Sequence, residues 1–114
     1  MTEISQAIAG RAQHGLLDAI PTPWRLSQTT AMTNQSDGLA VIVTSELPRP
    51  QQKASTERDA LELLEDLASG QLTSLEVTEA FLIRAAHAHQ LVNCLVGFRP
   101  DIAMARAKEL DMAF

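Results

Sequence analysis

The sequence predicts a mainly α fold: amphipathic helices with one or two short extended segments. Three observations carry that reading. Apolar residues recur at helical spacing over four stretches of the 114 residues. Helix start and stop signals stand close together between residues 56 and 81. Only two runs, "LAVIV" at 39–43 and "LVNCLVGF" at 91–98, are short, apolar and β-branched enough to read as extended chain.

The first helix is read from Ile4, Ile8, Ala12, Leu16 and Ile20, which recur every four residues along one slowly drifting face and end at Pro21. "PTPWRLSQTTAMTNQSDG" then supplies prolines, small polar residues and the Asp37–Gly38 turn pair, with Trp24 as its one evident anchor. After "LAVIV", the linker "SELPRPQQKAS" contains Pro48 and Pro50, both of which argue against helix. Thr56 and Asp59 resemble a capping box ahead of a stripe formed by Ala60, Leu61, Leu64, Leu67 and Ala68, and Gly70 fits the left-handed residue past that helix end.

The next helix begins at once. Thr73 is the expected N-cap, Glu76 the residue that bonds back to it, and Leu72 the residue that staples onto Val77. Val77, Ala80, Phe81, Ala85 and Ala88 then share a face. Pro100 and Asp101 open a last helix on which Ala103, Ala107, Leu110 and Phe114 align. The organisation divides at residues 1–55, a helix with an irregular loop and strand segment, and 56–114, a helical hairpin followed by a further helix.

Composition narrows the function classes. Residues 57–114 carry ten acids and five bases, against four of each in residues 1–56. No basic stripe exists to neutralise phosphates, so nucleic acid and anionic membrane surfaces are not expected partners. A single cysteine, Cys94, excludes an internal disulfide framework and suits a reducing compartment. No positively charged, apolar leader opens the sequence, and no stretch approaches the roughly 20 apolar residues that span a bilayer. The expected location is cytoplasmic.

The search for chemistry yields little. The seven serines (Ser5, Ser27, Ser36, Ser45, Ser55, Ser69, Ser74) are scattered among caps and loops, outside any glycine-rich elbow. The glycines stand alone, leaving neither a phosphate-cradling loop nor a dinucleotide fingerprint. His87, His89 and Cys94 form the most metal-like group, but residues two apart on a helix point about 200° apart and no fourth ligand follows. Last-turn histidines that complement the helix dipole, beside a buried thiol, are the expected roles. His14 and Asp18 read as a solvated helix pair. Glu62, Glu65 and Asp66, with Glu76 and Glu79, read as the polar faces of two helices rather than as paired acids. No catalytic, cofactor-binding or metal-binding residue is assigned, and no cofactor is expected.

Residues 59–114 carry a continuous resemblance. A helix ending at Gly70 is followed by Leu72, Thr73, Ser74 and acidic Glu76, then by "AFLIRAA", by "AHAHQLVNCL" and by "ARAKELD"; "AIPTPWRL" stands upstream. This pattern resembles the N-terminal helical part of the amidase signature family, most closely its fungal acetamidase and general amidase branch. The resemblance implies a helical layer of an α/β fold whose sheet core is absent here. It also implies the family reaction, hydrolysis of a carboxamide by a serine nucleophile, a second serine in a cis peptide and a lysine. Those three belong to a glycine- and serine-rich body that follows the helical part, and the chain is expected to stop before it. Lys53 and Lys108 do not match the catalytic-lysine context. The implied reading is an inactive fragment that self-associates or binds protein through exposed apolar helix faces, with an amide substrate only in a complete relative. A small helical interaction module is the alternative.

Overall fold

The computed structural model describes residues 2–25 and 50–114. Helix α1 spans Thr2–Ala19, and a 3₁₀ turn follows at Thr22–Trp24. After the undescribed interval come α2 (Pro50–Glu57), α3 (Ala60–Ser69), α4 (Ser74–Val92) and α5 (Pro100–Ala113). The described residues are helical throughout with short connections and contain no strand, which agrees with the mainly α expectation. The expected extended run at 39–43, with Pro48, lies outside them.

Helix α4 organises the rest. At 19 residues it is about 28 Å long, and it packs along its length against α2 and α5 and touches the 3₁₀ turn. The core is small: Ile83 and Ala86 of α4 meet Ile20, Trp24 and Phe98, with Leu16, Ala19, Leu82, Ala85, Leu95 and Met104 packed partly around them. Trp24 is therefore the anchor its isolation in the loop suggested. Its carbonyl accepts a hydrogen bond from Gln90 Nε2 at 2.9 Å, which ties the turn to the end of α4.

Local chemistry sets most of the helix ends. Gly70 adopts φ 80°, a left-handed conformation in which a Cβ would be strained, and its amide and that of Gln71 bond back to the carbonyl of Asp66. Asn93 ends α4 in the same conformation at φ 55°, a tolerated role for asparagine. Pro100 is the first residue of α5, where its missing N–H costs nothing.

Three sequence expectations are corrected here. Pro50 opens α2 instead of preventing it, because the N–H that proline lacks would have no intrahelical acceptor at the first helical position. Asp59 caps α3 alone, accepting from the Glu62 amide at 2.8 Å. Thr56 belongs to α2, and its hydroxyl accepts from Arg84 Nε at 3.1 Å. The run at 91–98 also differs in detail: Leu91 and Val92 complete α4, and residues 93–99 are irregular chain without a strand.

Much apolar surface stays uncovered. No residue of α1 or α3 is buried; Ile4, Ile8, Leu61 and Leu64 are each 60% exposed or more. Met112 and Phe114 at the end of α5 are almost fully exposed. Ile4, Ile8, Leu61, Leu64 and Phe114 lie on the faces that the helical spacing marked as apolar, and Met112 stands off them. Leu16, Ile20 and Ala107 of the same stripes are covered within the chain, so the stripes are covered only in part.

Candidate functional site

The two ends of α4 hold the polar geometry of the molecule. At its N-terminus four successive donors need acceptors that the helix itself cannot supply. Thr73 Oγ1 accepts from the Glu76 amide at 3.1 Å while Glu76 Oε2 accepts from the Thr73 amide at 2.8 Å, which is the expected capping box. The Ser74 and Leu75 amides are taken by a residue 36 positions away or more: Asp111 of α5 accepts from them at 2.7 and 3.0 Å, one bond to each carboxylate oxygen. A carboxylate there also faces the positive end of the helix dipole. Sequence reasoning missed Asp111, since a cap supplied from another helix leaves no local signal.

Midway along α4, Arg84 reaches α2. Its Nε donates to Thr56, and its terminal nitrogen lies 3.4 Å from Glu57 Oε1. Towards the C-terminus, His87 and His89 are both buried, at 1% and 2% exposure. The His89 ring accepts from the Leu95 amide at its Nδ1, at 3.0 Å, which fixes the irregular chain after Asn93 and leaves the ring proton on Nε2. Neither nitrogen of His87 has a hydrogen-bond partner among the described residues. Burial first, and the Arg84 guanidinium second, hold His87 below its ordinary 6.5. A histidine kept neutral in this way gives little to the helix dipole, so that expected role does not hold for His87. Cys94 is exposed and not the buried thiol that the sequence suggested.

The metal-like trio is thus taken apart: His89 is committed to a backbone amide, His87 is enclosed, and Cys94 faces solvent. Among the described residues no group of three or more His, Cys, Asp or Glu side chains is placed to share an ion. Two of the five acidic candidates are occupied as well. Asp66 pairs with Arg58, and Glu76 is part of the cap, while Glu62 and Glu65 are exposed. His14 and Asp18 sit exposed on α1.

A cleft of about 450 Å³ opens beside α2, α3 and the start of α4, lined by Gln51, Ser55, Arg58, Asp66, Gln71 and Glu76 among others. Ser55 is the one serine among the described residues that line it, and its hydroxyl donates to the Gln51 carbonyl at 3.1 Å. Among the described side chains no histidine, lysine or cysteine lines the cleft, and the Ser55 hydroxyl is turned to its own helix backbone. Ser69 likewise donates within its own helix end, to the Asp66 carbonyl at 3.1 Å. Lys108 is exposed on α5. What the arrangement does is hold helices in register: Asp111 joins α5 to α4, Arg84 joins α2 to α4, and Gln90 joins the 3₁₀ turn to α4.

No protein-family model matches the sequence, and no solved structure matches it. Curated relatives do. An amidase of Gibberella zeae is 38% identical over 109 residues, covering 96% of this chain and 20% of that protein. An acetamidase of Emericella nidulans is 37% identical over 114 residues, 97% of this chain and 20% of that protein. An acetamidase of Aspergillus oryzae is 51% identical over 65 residues, 57% of this chain and 12% of that protein. The chain spans about a fifth of the length of the relatives it matches most fully. With its helices assembled around α4 and nearly all of its length aligned with about a fifth of those proteins, the chain belongs with the amidases, as an amidase-like segment of mainly α structure.

Proposed function

We propose that these residues are the N-terminal helical part of an amidase signature hydrolase and do not hydrolyse amides by themselves. In this reading residues 56–114 are the start of the amidase domain and residues 1–55 the segment that precedes it. The complete enzyme cleaves the C–N bond of a carboxamide to give an acid and ammonia or an amine. Its two serines and lysine lie outside the 114 residues. The helices form a layer on a larger body, in the cytoplasm, and without that body they self-associate through the same faces.

The observation that carries this reading is the set of uncovered apolar side chains on α1, α3 and α5, combined with polar groups committed to holding helices together. A polypeptide built to act alone would bury such stripes, each large side chain contributing about 1.5–3 kcal/mol on burial. The acidic balance of residues 57–114 gives no footing for phosphate backbones. No helix among the described residues is long and apolar enough to cross a membrane.

Co-expression provides the test. The Emericella nidulans acetamidase, deleted for the fifth that aligns here, is expected to be insoluble or inactive alone and to recover amide hydrolysis when this chain is supplied. The reading fails if the deleted enzyme remains inactive while binding this chain tightly, or if it never binds it.

A second reading, a non-catalytic helical interaction module, is favoured by one observation: caps at both ends of the α3–α4 connection and the Asp111 bonds specify this helical set from within. A monomeric, cooperatively melting chain that captures a protein other than an amidase would select it.

A further inference from the structure

We draw no further inference here: the strongest candidate, the exposed apolar stripes of Ile4 and Ile8 on α1 and of Leu61 and Leu64 on α3, has nothing in the structure to show what covers it beyond the amidase body already proposed.

Discussion

Replacing Asp111 with alanine strips the start of α4 of two acceptors while leaving its local capping box intact. The two lost bonds, at 2.7 and 3.0 Å, run from half-buried amides to a carboxylate. Hydrogen bonds to a charged partner contribute about 1.5–3 kcal/mol each when buried. Water can reach the Ser74 and Leu75 amides once the carboxylate is gone, which recovers much of that amount. The dipole interaction adds about 0.3–1 kcal/mol. The expected net loss is therefore about 1–3 kcal/mol, a fall of roughly 5–15 °C in melting temperature for a chain of this size. Thermal melts followed by circular dichroism measure the total, and amide exchange by NMR locates it. The Ser74 and Leu75 amides should exchange tenfold faster for each 1.4 kcal/mol lost locally. Glu76, still bonded to Thr73, should change least. Asp111→Asn, which keeps one acceptor oxygen, should fall between the two. The reasoning is refuted if Asp111→Ala melts within about 0.5 kcal/mol of the parent and leaves Ser74 and Leu75 exchange unaltered.

Other outcomes follow from the same geometry. His87 is neutral when folded and takes up a proton more readily when unfolded, so below about 6.5 the unfolded chain binds the extra proton. Stability is then fully present above that pH and is lost as the pH falls toward the lowered folded-state value, with a slope of at most about 1.4 kcal/mol per pH unit. Urea titrations from pH 8 to 5 should show this, and His87→Leu should flatten the dependence; an unchanged slope in the variant would assign it elsewhere. Thr73→Ala should cost about 1 kcal/mol by loss of the cap hydroxyl, visible as faster exchange at Glu76. Ile83→Ala, at the centre of the core, should cost about 2–5 kcal/mol, enough to abolish a cooperative melt. Leu61→Lys with Leu64→Lys should leave the helical content of the chain unchanged while reducing self-association measured by light scattering, because neither side chain is buried within it.

How much of this was legible in the sequence depends on the range of each interaction. Gly70, Thr73 with Glu76, and Pro100 act within four residues of themselves, and each lies where the local signal placed it. The mainly α fold and the kinship with amidases were legible for the same reason, since both rest on contiguous stretches. The buried face of α4 was not. The expected stripe included Phe81, which is 44% exposed, and omitted Ile83, Ala86, His87 and His89, which are buried. Helix α4 carries alanine, leucine and isoleucine on most of its circumference, so periodicity alone does not choose a face. Packing against α2 on one side and α5 on another encloses a wide arc, which is how two histidines about 200° apart are both buried. Asp111 and Arg84 were illegible as fasteners because their partners stand 27 to 37 residues away.

Ammonia release from acetamide by the purified 114-residue chain tests the central claim most directly. The account predicts no time-dependent release above a protein-free control at any protein concentration. Release that scales with the chain and disappears in Ser74→Ala would contradict it, for it would place a working nucleophile in residues assigned here to holding helices together.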